Sequence, residues 1–198
     1  MPALIIEGHI YPSLMIPADY QVVVDKLVLR NGKQVHLNRY QPADLPQEAL
    51  NREHVTVIYG DGGYLYSYNA LTQPLSGTLP NEKQAFAKAE RVWQEIDPDY
   101  REQLEESHLL TGQERTYVNA AGKTVKIPLE WAKYANLVDS GSYEWVGFGP
   151  NGQVIEFERE SYWDFSTNRQ KTEMWNGDDW ILARRGLGPQ LPAPLPIA

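Results

Sequence analysis

Residues 153–165 read QVIEFERESYWDF, and their alternation decides how the rest of the chain is read. Successive side chains of a strand leave on opposite sides. Val154, Glu156, Glu158, Glu160, Tyr162 and Asp164 are therefore predicted to share one face, with Ile155, Phe157, Arg159, Ser161, Trp163 and Phe165 on the other. One row is apolar enough to cover a core, and the other is a ladder of carboxylates. If the ladder lines a cleft, mutual repulsion raises some of its pKa values and yields an acid–base pair or a hard-cation site. On an outer face it is a solvated row whose charges discourage edge pairing.

Outward from this stretch, turn signals imply a meander. Gly149-Pro150-Asn151-Gly152 places Pro at the second position of a turn, and Asn176-Gly177 suits a type I′ hairpin. Four strands are predicted, over residues 143–148, 153–165, 171–175 and 179–184. Upstream, residues 21–30 and 33–40 flank Asn31-Gly32, a dipeptide that tolerates positive φ at both centres. Pro42 and Pro46 then break the ladder. Residues 54–59 and 64–69 form a second hairpin around Gly60-Asp61-Gly62-Gly63. A phosphate cradle needs a helix to begin right after such a turn, whereas residues 64–68 are aromatic and β-prone. Residues 57–68 and 146–157 overlay with Gly63 against Gly152, which is compatible with duplication of a hairpin-plus-helix unit.

The clearest helix spans Glu82–Ile96, where Ala85, Phe86, Ala89, Val92, Trp93 and Ile96 form one stripe at the 3.6-residue period. Asn81 and Gln84 have the spacing of a capping box. Asp97-Pro98 ends that helix and is predicted to start another over residues 98–108, with Pro128 opening a third over 129–137. Between these two helices, residues 116–119 and 123–127 suggest a hairpin. Four prolines between residues 189 and 196 give a polyproline-like tail, which reads either as a docking segment or as a loosely packed terminus.

The predicted fold is α+β: an antiparallel sheet of several hairpins, with a C-terminal four-stranded meander, curled around the main amphipathic helix. The expected units are a hairpin lobe over residues 1–75, which can belong to the same sheet, helix plus meander over 76–186, and the tail over 187–198. Pro and Gly cluster at the first boundary, between Leu75 and Pro80.

Composition narrows function by exclusion. With no Cys, the chain lacks disulfides, thiolate nucleophiles and sulfur-based metal sites. That absence, and the short apolar run at residues 1–6, favour a cytoplasmic protein without a secretory signal. Net charge is −8, and residues 140–183 hold eight acids against three bases. Such a field repels phosphate backbones and anionic lipid, so neither nucleic acid nor membrane is an expected partner. A basic protein or a small neutral or cationic ligand suits it better. His9, His36, His54 and His108 lack metal-site spacing, and no G-x-S-x-G elbow is present, so no metal or cofactor is expected.

Trp145, Trp163, Trp175 and Trp180 all fall in the acidic segment. Aromatic faces beside carboxylates hold sugar rings or organic cations, and they also pack cores. The candidate site is therefore Glu156, Glu158, Glu160 and Asp164 with Trp145 and Trp163. It serves either a non-enzymatic binding or accessory protein with an acidic, aromatic face, or a carboxylate-based hydrolase acting on a carbohydrate-like substrate. Residues 64–93, a β-prone run, the turn Thr72-Gln73-Pro74-Leu75 and an Ala-rich helix, resemble PepSY-type modules, in which small strands wrap a helix. That resemblance implies no site residue here.

Overall fold

The computed structural model describes residues 2–45, 47–73 and 76–198. Pro46, the Pro74-Leu75 part of the turn, and the start of the expected domain boundary lie outside them. Strands β1 (Ala3–Ile6) and β2 (His9–Met15) form a separate hairpin. The remaining strands are β3 (Tyr20–Arg30), β4 (Lys33–Pro42), β5 (His54–Tyr59), β6 (Leu65–Leu71), β7 (Leu104–Val118), β8 (Thr124–Asn136), β9 (Ser142–Phe148), β10 (Val154–Asp164) and β11 (Arg169–Gln170). They build one open antiparallel sheet in the order β3-β4-β5-β6-β10-β9-β8-β7, with β11 added on β10. The helices are α1 (Glu82–Ile96), the single turn α2 (Pro98–Arg101) and α3 (Asp178–Arg184). The chain is thus an α+β protein, and none of its described helices is long and apolar enough to cross a membrane.

Local signals placed β3–β4 and α1. Asn31 and Gly32 both have positive φ, at 51° and 75°, and the registered pairs run up to Arg30 and Lys33. Asn81 Oδ1 accepts from Gln84 N at 3.0 Å, while Gln84 Oε1 accepts from Asn81 N at 3.0 Å. Both bonds satisfy amides that the first helical turn leaves unpaired. Asn81→Ala should cost about 1 kcal/mol of stability in urea melts. The stripe on α1 meets the sheet: Trp93 is fully buried, with its ring 4.7 Å from Phe157 and 6.0 Å from Tyr134. The hairpin β1–β2 adds Leu4, Ile6, Tyr11 and Leu14 to that core.

Four elements differ from the sequence expectation. Residues 98–108 give one turn and then pass into β7, and the predicted helix over 129–137 is the end of β8. The two segments pair with each other from Leu104↔Asn136 to His108↔Lys133, and β7 continues the ladder to Gln113↔Leu129, so cross-strand pairing outweighs local helix preference. The predicted meander keeps its first two strands as β9 and β10, whereas residues 171–175 form no strand, Gly177 precedes a helix at φ −106° instead of centring a type I′ turn, and residues 179–184 are helical. There Trp180, Ile181 and Ala183 are buried, acids occupy the first turn and Arg184 the last, as the helix dipole favours. The tail is anchored: Arg169 Nη1 donates to Leu195 O at 2.7 Å and Trp180 Nε1 to Ile197 O at 3.2 Å.

The sheet is two matching meanders, β3–β6 and β7–β10, that meet at β6 and β10. Gly60-Asp61-Gly62-Gly63 and Gly149-Pro150-Asn151-Gly152 are both single 3-10 turns, with Gly62 at φ 69°, ψ 16° and Asn151 at φ 59°, ψ 12°. Each turn is closed by a 2.8 Å bond, Gly60 N to Tyr64 O and Gly149 N to Gln153 O. Bulges match as well: Ile58/Tyr59 corresponds to the step beside Gly147/Phe148, and Val22/Val24 opposite Tyr40/Arg39 corresponds to Glu106/His108 opposite Tyr134/Lys133. At the junction, Glu156↔Asn69 and Glu158↔Ser67 exchange under this match while Phe157↔Tyr68 maps onto itself. An approximate two-fold axis therefore runs normal to the sheet between Phe157 and Tyr68. The repeat is a four-stranded meander, and α1 connects the two copies rather than belonging to each.

Candidate functional site

The alternation of β10 holds from Glu156 to Arg159 alone: a first slip against β9 between Val154 and Glu156 leaves Val154 in the α1-side core with Phe157 and turns Ile155 toward Leu129, and a second slip follows Glu158. Glu160 sits at a bulge with φ 52°, where the pairing with β9 slips between Glu158 and Ser161. Beyond the bulge the faces swap, so Ser161 and Trp163 join Glu156 and Glu158 on the face turned away from α1. Glu160 instead accepts from Tyr64 Oη at 2.7 Å and Lys33 Nζ at 3.3 Å. Asp164 is exposed and bonds Ser166 N and Oγ at 2.9 and 2.6 Å, which lowers its pKa. The expected single ladder of carboxylates is thus divided, with only Glu156 and Glu158 of the four facing a concavity.

That concavity is a groove of about 740 Å³. Its floor is the outer face of β8, β9 and β10; one wall comes from β7 and the other from the segment carrying β11, α3 and the tail. Trp131, Trp145 and Trp163 line it, and the first two stack with centroids 4.9 Å apart. Gly147 makes this possible. It lies in register between Trp131 and Glu156, and a Cβ there would approach Trp131 Cδ1, Leu129 Cδ1 and Glu156 Cβ to 3.1 Å each. With no side chain in the way, the indole of Trp131 crosses β9 to reach Glu156.

Glu156 is 4% exposed and fully engaged. It accepts from Arg115 Nε at 2.6 Å, Asn69 Nδ2 at 3.1 Å, Trp131 Nε1 at 2.8 Å and Trp145 Nε1 at 3.4 Å. Glu158, equally buried, pairs with Arg30 Nη2 at 2.8 Å and accepts from Asn176 Nδ2 at 3.4 Å. Burial pushes the Glu158 carboxyl up and Arg30 opposes that shift. The buried carboxylates therefore arrive with their own arginines. Neither presents the solvated acidic surface that the composition suggested.

The terminal segment is clamped across the first meander by Asp178. Its carboxylate takes Arg39 bidentately, at 2.6 Å to Nη1 and 2.9 Å to Nη2, and accepts from Asn51 N at 2.6 Å. Burial would raise the Asp178 carboxyl, but His54, Arg39 and the Asn51 amide together bring it below its usual range. Trp175 packs on the apolar patch of Val28, Val35, Leu37 and Ile58, and its Nε1 donates to Leu29 O at 2.7 Å.

Of the residues singled out from sequence, the groove contains Glu156, Glu158, Trp145 and Trp163, and it excludes Glu160 and Asp164. It also contains Trp131, Lys133, Arg115 and Asn69, which the sequence reading missed. Gly147, a lone glycine within a strand, was the one signal of a close crossing. Among the described residues no cluster of three or more His, Asp or Glu is arranged to hold a metal ion. No protein-family model, curated protein or solved structure matches the chain.

Proposed function

We propose that the chain is a non-enzymatic binding protein that takes a small ligand in the groove, against Trp131, Trp145 and Trp163. The observation that supports this reading most directly is the engagement of Glu156. An acid–base catalyst must exchange a proton with its substrate, whereas this carboxylate is committed to a guanidinium, an amide and two indoles. Those bonds tie down the polar edges of two half-buried rings, which orders apolar surface for a ligand at little entropic cost. A groove of about 740 Å³ with a few convergent polar groups is of ordinary ligand-binding size. A protein-sized basic partner is less well served, because Glu156 and Glu158 lie below the surface. In this reading the sheet curls around α1 on one side and leaves its other face to the ligand.

The hydrolase alternative draws on one observation, the raised Glu158 carboxyl in the same concavity as Glu156. Arg30 holds that carboxylate at 2.8 Å and disfavours its service as an acid. A fragment library of aromatic compounds and short oligosaccharides, screened by intrinsic fluorescence, distinguishes the possibilities. Expected are binders that shift the indole emission without turnover and that lose about tenfold or more in affinity in a folded Trp145→Ala variant. Absence of any binder, or turnover abolished by Glu158→Gln, would refute the proposal.

A further inference from the structure

The two-fold match between the meanders turns one half of the sheet into a template for the other. Arg39 on β4 stands opposite Thr56, and Lys133 on β8 stands opposite Trp145. Because Thr56 and Trp145 occupy equal positions before the matching turns, Arg39 and Lys133 are equivalent cations on the same face of the sheet. In the first half, Arg39 is occupied by the Asp178 carboxylate, and the indole of the neighbouring Trp175 covers Leu37 and Ile58. In the second half the corresponding floor is Trp131, Lys133, Trp145 and Gly147, and it is open groove.

Lys133 has no ion pair and no side-chain hydrogen bond among the described residues, and its ammonium lies over the Tyr143 ring at 5.0 Å from the centroid. Burial lowers its pKa, and no carboxylate lies close enough to oppose the shift. The other charges around it are otherwise committed: Arg115 to Glu156, Arg30 to Glu158, Arg39 to Asp178 and Lys126 to Glu114, with Asp179 exposed at the rim. His108, also exposed, is the residue paired with Lys133 across β7. Asn69, 4% exposed and part of the lining, has its Oδ1 buried without a hydrogen-bond partner. A buried acceptor of this kind favours a ligand that brings a donor.

Building on the ligand-binding reading above, we infer that the groove takes a small, flat organic carboxylate. Its anionic group pairs with Lys133 as Asp178 pairs with Arg39, and its ring lies against Trp131 and Trp145. Asn69 Oδ1 accepts from a donor elsewhere on a natural ligand. This departs from the cationic ligand suggested by net charge, because the buried acids of the groove are already neutralised and its unmatched, half-buried charge is positive.

The test uses naphthoate, naphthamide and naphthylmethylammonium, which share one ring system and differ in charge, titrated against the full chain by indole fluorescence at fixed ionic strength. Naphthoate should bind about tenfold or more tighter than the amide, the size expected of one charge-assisted hydrogen bond. Lys133→Met should erase that preference and Lys133→Arg should keep it, both with unchanged melting, since Lys133 has no ion pair to lose. Equal affinities in the wild type, tighter binding of the ammonium, or a preference that survives Lys133→Met would overturn the carboxylate assignment while leaving the groove as a ligand site. If none of the three probes perturbs the indoles, the carboxylate assignment fails, and the library screen then decides whether the groove binds anything at all.

Discussion

Replacing Trp93 by Ala is expected to cost about 3 to 5 kcal/mol of folding stability, which lowers Tm by roughly 10 °C in a chain of this size. Trp93 is fully buried where α1 meets the sheet, with rings of Phe157, Tyr100 and Tyr134 at 4.7, 5.8 and 6.0 Å. The first of these belongs to the pair through which the two-fold axis passes. Removing the indole deletes its transfer free energy and leaves a void that α1, held by its cap and by β1–β2, is poorly placed to fill. Denaturant melts of the variant measure the loss directly. A cost below about 1 kcal/mol would mean that α1 collapses onto the sheet without the ring.

Arg39→Met is expected to be as damaging, by a different route. It strips Asp178 of its bidentate partner while the carboxylate remains buried, and leaving one member of such a pair uncompensated costs about 3 to 5 kcal/mol. The double variant Arg39→Met, Asp178→Leu should recover part of that loss, since two apolar groups replace the pair. Because Asp178 ties the terminal segment to the sheet, Arg39→Met should also make residues 176–198 more susceptible to proteolysis than the sheet. Equal susceptibility of both regions would argue against a clamp.

The same cluster sets an acid limit. His54 is fully buried, and its pKa is lowered to about 4, first by burial and then by Arg39. The unfolded chain therefore binds this proton at higher pH than the folded one, so the contribution is whole above about pH 6.5 and is lost as pH falls toward 4. The depressed Asp178 carboxyl acts in the same direction at lower pH. Glu158 and Glu144, both raised by burial, act in the opposite direction, because they gain protons first in the folded state. Measured as the difference between wild type and His54→Gln, the imidazole's share should approach on the order of 3 kcal/mol between pH 7 and 4. A parallel pair of stability curves would exclude it.

Much of the candidate site was legible only in outline. The acid-rich strand was visible in residues 153–165, and of the six nominated residues its Glu156, Glu158 and Trp163, with Trp145 from β9, do line the groove. Glu160 and Asp164 were misplaced because a single extra residue at the bulge inverts everything after it. Nothing local marks that bulge: Glu160 is held at φ 52° by the pairing of β10 with β9 and by Tyr64 and Lys33, residues far away in the chain. Trp131 and Lys133 were hidden for a related reason, since their segment reads as a helix until β7 and β9 are placed on either side.

What the sequence determined alone were the features whose causes lie within a few residues. The Asn31-Gly32 turn, the capping box of α1 and its apolar stripe, and the two Gly-flanked 3-10 turns follow from backbone freedom and side-chain reach over one turn of chain. Tertiary structure decided the rest. Residues 104–118 became strand because a ladder partner outweighed their propensity, residues 178–184 became helix because an apolar face had somewhere to go, and the acids of β10 became neutralised pairs because Arg30 and Arg115 arrive from distant strands. The state of Lys133 is such a product as well: it has no ion pair among the described residues, and that depends on where the other strands bring their carboxylates.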